Sequence, residues 1–167
     1  GIDKEVQERF SKDASWRYDV LELARNYRIT DFQCALGISQ LENLDLFIQN
    51  REKIAENYNQ KLSNHPNIVL PFVREKSKHS WHLYPILIKD KNRDEIFSKM
   101  RKNNIGVNVH HIPPYEFTYH KKFGWKPEDF PVTDSVFRTT ITLPIFPNLS
   151  KEEQEFVVDS LLDSLKG

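Results

Sequence analysis

The stretch Asn26–Leu46, NYRITDFQCALGISQLENLDL, decides how the chain is read. Thr30 and Gln33 have the spacing of a capping box, in which a hydroxyl takes the third helical N–H and an amide side chain reaches back to the cap. Behind that cap Cys34, Ile38, Leu41 and Ile48 recur at helical spacing, with Ala35 and Leu44 on adjoining positions of the stripe. Immediately ahead of it stand Asn26, Tyr27 and Arg28. A helix start offers unpaired N–H groups and the positive end of its dipole, so an amide and a guanidinium placed there can complete a pocket for phosphate or carboxylate. The plain alternative is a surface cation beside a turn residue, and spacing alone leaves both open.

Upstream, residues 1–25 are charged, carry Trp16 and Tyr18, and read as an irregular lead-in with a short helix over Lys4–Ser11. Downstream, the stripe continues through Phe47, Ile48, Ile54, Ala55, Tyr58 and Leu62. One unbroken helix of that length would be unusual, and Asn43 is a second N-cap, so two helices with a bend near Asn43–Asp45 are expected. Asn64-His65-Pro66-Asn67 then stops the helix. Ile68–Val73 and His82–Lys89 read as strands, the second alternating at His82, Tyr84, Ile86 and Ile88. Asn92 with Glu95 opens a helix bearing Ile96, Phe97 and Met100, and Ile105–His111 is the next expected strand. Residues 112–130 form a long connection rich in proline and aromatics, with a short helix at Phe117–Phe123. Pro131 suits the first turn of a helix reaching Arg138. Ile141–Leu143 is a short strand, and Ser150 with Glu153 caps a last helix to about Leu165, its apolar side Phe156, Val157, Leu161 and Leu165. This order describes an α/β (α+β) layer of few strands covered on one face. Residues 1–63 form the lead-in and long helices, and 64–167 a small domain.

Composition removes several classes of function. The 167 residues hold 24 Lys plus Arg against 24 Asp plus Glu, so no global charge draws the chain to nucleic acid or an anionic membrane. Five glycines, none in a phosphate-loop pattern, leave no Gly-rich cradle. The single cysteine, Cys34, excludes a disulfide framework and reads as a packed thiol in a reducing compartment. No apolar run approaches a membrane span. The opening Gly1-Ile2-Asp3-Lys4, without Met, reads as a start in mid-chain.

Six histidines invite a metal reading, but none has the H-x-x-x-H helical spacing, and adjacent His110 and His111 point to opposite faces of an extended segment. No metal site is expected. No nucleophile elbow supports Ser-His-Asp chemistry. The aromatics Trp81, Tyr84, Tyr115, Phe117, Tyr119, Phe123 and Trp125 are either core for the long loop or a wall that stacks on a sugar or base.

Several ordered stretches resemble the DegT/DnrJ/EryC1/StrS sugar aminotransferases, pyridoxal-phosphate enzymes of fold type I. Gly1-Ile2 is similar to the end of that family's H-G-I element, and Asn26–Leu41 resembles its N-Y-R-x-T-D-x-Q segment. His79–Pro85, HSWHLYP, is similar to its W-H-L-Y strand, Ile105–Pro113 to its strand and H-Y-x-P loop, and Thr142–Pro147 to its S-L-P-L-x-P close. The resemblance implies the C-terminal small domain of that fold, with two long leading helices and then a small sheet covered by helices. It implies amino transfer from glutamate to a keto sugar on a nucleotide, in a cytoplasmic homodimer, with pyridoxal 5'-phosphate held by the longer parent. The lysine that carries the cofactor precedes the H-G-I element, so the isolated chain is expected to be inactive and to contribute no catalytic residue. Asn26 and Arg28 are the expected phosphate ligands, across a dimer interface, and His110, His111 and Tyr115 the expected sugar-facing residues. Two departures bear on the substrate: His111 stands where the family often has Tyr, and Tyr115 where it often has His. Some family members dehydrate keto sugars, with histidine in place of the lysine. A non-catalytic module that binds nucleotide-sugar is the alternative of a different class.

Overall fold

The computed structural model describes residues 19–25 and 27–166. The expected helix over Lys4–Ser11, together with Trp16, Tyr18 and Asn26, lies outside the described residues. The described chain falls into two units divided between Glu42 and Asn43, so the expected boundary after residue 63 lies inside the second.

In the first unit, helix α1 (Asp31–Leu41) opens on the capping box read from the sequence: Thr30 Oγ1 accepts the Gln33 N–H at 3.3 Å and Gln33 Oε1 accepts the Thr30 N–H at 3.0 Å. The stripe read from the spacing is present but uncovered in this chain. No residue of α1 is buried, Phe32 is 83% exposed, and Leu36, Ile38 and Leu41 also face solvent, while Cys34 is half-buried. Spacing marks which residues share a face, and only a partner surface buries it.

The second unit begins with α2 (Leu44–Leu62), which buries Ile54, Ala55, Tyr58 and Leu62 as the spacing predicts. It is followed by β1 (Ile68–Val69), β2 (Tyr84–Ile88), α3 (Arg93–Lys102), the short α4 (Thr118–Lys121), α5 (Pro131–Thr139), β3 (Thr140–Leu143) and α6 (Lys151–Leu165). The three strands form one antiparallel sheet in the order β1-β2-β3. Residues directly opposite across an antiparallel pair share a face. The register pairs Ile68 with Ile88, Ile86 with Ile141 and Tyr84 with Leu143, which puts all six on the core face. Ile96 and Met100 from α3 and Val157, Val158, Leu161 and Leu165 from α6 complete that core with α2. Pro85, Leu87, Thr140 and Thr142 take the opposite face. The Tyr58 hydroxyl donates to Pro144 O at 2.9 Å and that of Tyr84 to Asn59 Oδ1 at 2.6 Å, so neither buried phenol is left unsatisfied. Burial raises both above the ordinary tyrosine range, with the neighbouring Tyr84 adding to the shift of Tyr58.

Three expected elements change. β1 stops after two residues because Pro71 has no N–H for a ladder. The strand expected over Ile105–His111 reduces to one bridge, Asn108 with Thr142. The Val107 N–H turns back on Ile105 O at 2.9 Å and the Val109 N–H is taken by Asn108 Oδ1 at 2.8 Å, so local bonds replace the ladder on both sides. Phe156, expected on the apolar side of α6, is 54% exposed, and Gln154 instead joins the buried stripe, donating to Leu149 O and accepting from Asn57.

The caps give a first prediction. Ser150 Oγ accepts the Glu153 N–H at 3.1 Å, and Glu153 returns the bond to Ser150 N at 2.8 Å, at the head of a helix packed into the core. Ser150→Ala is expected to cost about 1 kcal/mol in urea unfolding. Thr30→Ala is expected to cost the second unit's transition nothing, because α1 buries no residue. Equal losses in the two variants would contradict that division.

Candidate functional site

His110 and His111 follow the Asn108–Thr142 bridge, in which Thr142 lies on the sheet face away from the core. Two polar side chains grip the first imidazole: Thr142 Oγ1 stands 3.1 Å from Nδ1 and Asn108 Nδ2 3.2 Å from Nε2. The His110 and His111 rings meet edge to face, centroids 5.0 Å apart, and His111 is exposed. Partial burial, then the charges of His111 and His82, hold His110 below the ordinary histidine range. The pair therefore presents one fixed, neutral ring and one accessible ring able to donate, accept or stack.

Tyr115 lies on the same connection with different neighbours. It is 5% exposed, its ring is parallel to Phe130 at 6.0 Å, and its hydroxyl donates to Asp134 Oδ1 at 3.3 Å. Asp134 also accepts from Arg138 Nε at 2.6 Å. The Arg138 hydrogen bond holds the Asp134 carboxyl low, whereas desolvation and then the Asp134 charge push the Tyr115 phenol up. This ties the long connection to α5. Further along it, Phe117, Tyr119, Phe123 and Trp125 are exposed around His120, with Phe123 and Trp125 stacked at 5.0 Å and Lys122 Nζ 3.7 Å from the Tyr119 ring centre.

His79, in the HSWHLYP stretch, has a local task. Its Nδ1 accepts the Trp81 N–H at 2.9 Å and its ring packs on the indole at 4.4 Å. Trp81 sits at φ +50°, a left-handed conformation costly for a bulky residue, and this contact helps to hold it. Among the described residues no three His, Cys, Asp or Glu side chains converge as a metal site, and no helix is long and apolar enough to cross a membrane.

In the first unit, Tyr27 and Arg28 are exposed ahead of α1, with Arg25 Nη1 donating to the Tyr27 hydroxyl at 3.4 Å. The capping box occupies the Gln33 N–H, and the Asp31 carboxylate in the first turn complements the helix dipole. The donor chemistry suits one edge of a phosphate, with the guanidinium as its main positive charge. Thus the structure brings His110 and His111 together, seats Tyr115 against Phe130 and Asp134, and leaves Arg28 on the surface of the other unit. Asn108, Thr142, Phe130 and Asp134 escaped the reading of the sequence. Only Asn108 carried a signal, as a residue type that bonds its own backbone and interrupts strands.

A leading capped helix followed by a small antiparallel sheet under helices is the framework in which these groups sit. The sequence profile described as the DegT/DnrJ/EryC1/StrS aminotransferase family matches residues 1–162. The chain belongs to that family. It is 34% identical to the spore coat polysaccharide biosynthesis protein SpsC of Bacillus subtilis, over all of this chain and 44% of that protein. It is 33% identical to a UDP-4-amino-4,6-dideoxy-N-acetyl-beta-L-altrosamine transaminase of Campylobacter jejuni, over 93% of this chain and 42% of that one. Among solved structures, the putative sugar aminotransferase Spr1654 of Streptococcus pneumoniae in its PMP form superposes with a TM-score of 0.89 at 25% identity, over 99% of this chain and 42% of that one. The chain therefore spans less than half the length of the curated relatives it matches. The fold is that of a partial aminotransferase, as the resemblance implied.

Proposed function

We propose that this chain is the C-terminal portion of a pyridoxal-phosphate enzyme that moves an amino group from glutamate to a keto sugar carried on a nucleotide. The family match over residues 1–162 carries this reading. The cofactor, when bound, supplies the electron sink for the transfer, and the protein supplies orientation and electrostatics. Asn26 and Arg28 hold its phosphate in this reading, Arg28 as the charge and Asn26 as an amide donor. His111 faces the sugar, His110 fixes its approach, and Tyr115 braces the connection through Phe130 and Asp134. The exposed apolar side chains of α1 support an interface with a second subunit, through which the Arg28 segment serves the partner's cofactor. In this reading the enzyme works in the cytoplasm, and the isolated chain is inactive.

The test uses the whole gene product, supplied with glutamate, pyridoxal phosphate and a panel of nucleotide-linked keto sugars, with formation of 2-oxoglutarate and of the amino sugar measured. Production of both is expected, with neither from the 167-residue chain alone. Loss of water from the sugar without consumption of glutamate would make the protein a dehydratase instead. Nucleotide-sugar binding with no chemistry and no cofactor uptake would make it a binding module.

A further inference from the structure

Both ends of the Asn108 amide are committed. Its Oδ1 accepts the Val109 N–H at 2.8 Å. Turning the amide over would set Nδ2 against that N–H, donor to donor, so Nδ2 is the atom 3.2 Å from His110 Nε2. An amide nitrogen only donates, hence Nε2 accepts and bears no proton. The imidazole proton is then on Nδ1, which donates to Thr142 Oγ1 at 3.1 Å. Thr142 is itself fixed, buried and bonded through its own N–H and C=O to the Asn108 backbone at 2.7 and 3.2 Å.

We propose that Asn108 and Thr142 are positioning residues that hold His110 as the neutral, Nδ1-protonated tautomer, and that this grip makes the presentation of His111 to a nucleotide-sugar sensitive to pH. The second clause rests on the reading of His111 under the proposed function; the first does not. A proton added at Nε2 meets the Asn108 amide donor and breaks the bond. The groups whose charge acts on His110 are His111 and His82, and a positive charge on either repels an imidazolium, so neither stabilises one. A histidine with a lowered folded pKa binds its proton less readily in the folded state. Its bonded arrangement is therefore complete above the ordinary histidine value and is lost as pH falls through the lowered one.

The experiment is a two-bond proton–nitrogen NMR titration of the histidine rings in the 15N-labelled chain, with no substrate present. His110 is expected as a single Nδ1–H tautomer whose titration midpoint lies below the ordinary histidine value. Asn108→Ala should mix the tautomers and raise the midpoint, and Asn108→Asp should protonate Nε2 and carry the midpoint above the ordinary histidine value. The backbone bridge does not depend on the Asn108 side chain, which is exposed, so these variants retain it. Thr142→Val, close in volume, should weaken the Nδ1–H preference alone. An Nε2–H tautomer in the wild type, or a tautomer and midpoint unmoved in Asn108→Ala, overturns the assignment. In the full-length protein, nucleotide-sugar affinity should fall as His110 takes up its proton, and that falling edge should disappear in Asn108→Asp, whose carboxylate accepts the Nε2 proton and keeps the ring bonded. An edge that stays in place overturns the pH coupling. Unchanged affinity in His111→Ala instead removes His111 from the substrate site and leaves the tautomer result standing.

Discussion

Replacing Arg93 with alanine is expected to destabilise the second unit by about 3 kcal/mol, and to lower its melting temperature on the order of 10 °C. Arg93 is the first residue of α3 and is only 8% exposed, an uncommon location for a cation. Its Nη1 donates to Phe137 O at 3.0 Å and to Thr140 O at 2.8 Å, and its guanidinium carbon lies 5.7 Å from the Phe137 ring centre. One side chain thus satisfies a carbonyl in the last turn of α5 and the carbonyl that begins β3. It also places positive charge at the negative end of α5. Truncation leaves both acceptors without that donor, and the cost of unsatisfied buried groups exceeds the value of the bonds themselves. The Arg93–Asp94 contact at 2.7 Å contributes little by comparison, since the Asp94 side chain is 82% exposed. Differential scanning calorimetry of Arg93→Ala, Arg93→Lys and Asp94→Ala separates these contributions. The lysine, a single point donor without the guanidinium fork, should recover roughly half of the loss. Asp94→Ala should stay within about 0.5 kcal/mol. A melting temperature unchanged in Arg93→Ala would show that α3 does not anchor α5 and β3.

Arg93 also shows where reading a sequence stops. Next to Asn92 it looks like an ordinary first-turn residue, and nothing local reveals that α5 and β3 will end beside it. Features decided within a few residues were legible: the Thr30–Gln33 and Ser150–Glu153 boxes, the Asn92 cap and the alternation of Tyr84, Ile86 and Ile88. Features decided by a distant surface were not. The α1 stripe has the periodicity of a core helix and is exposed, because periodicity carries no information about what covers a face. The strand expected after Ile105 failed through competition, since the Asn108 amide offers the Val109 N–H a nearer acceptor than any strand could. At the candidate site, family resemblance pointed to His110 and His111 by motif position. It did not point to Asn108 and Thr142, whose roles arise from a bridge joining residues far apart in the chain. Tyr115 was marked as a loop aromatic and, through the resemblance, as sugar-facing, but its bond to Asp134 depends on how the connection folds back onto α5.

On the function proposed above, Arg28→Ala in the full-length protein is expected to weaken pyridoxal-phosphate affinity by roughly ten- to a hundredfold, the value of one or two charge-assisted hydrogen bonds to a phosphate. The geometry of α1 explains why the loss should fall on this side chain. A bare helix start attracts anions through its free N–H groups and its dipole. Here the capping box has taken the Gln33 N–H, and Asp31 already sets a carboxylate in the first turn. What the helix can still offer an incoming phosphate is reduced, and the guanidinium must supply most of the attraction. In this chain Arg28 is exposed, so its removal should change the unfolding free energy of the chain by less than about 0.5 kcal/mol. Arg28→Lys keeps the charge and loses the two-pronged geometry, so it should recover part of the affinity and show a steeper decline with salt. Fluorescence titration of the cofactor-free dimer measures all three proteins, and competition by inorganic phosphate separates phosphate recognition from recognition of the pyridine ring. If Arg28→Ala binds the cofactor as the wild type does, the phosphate is held elsewhere and Arg28 leaves the site. If affinity and unfolding midpoint fall together, Arg28 supports the subunit fold and its effect on the cofactor is indirect.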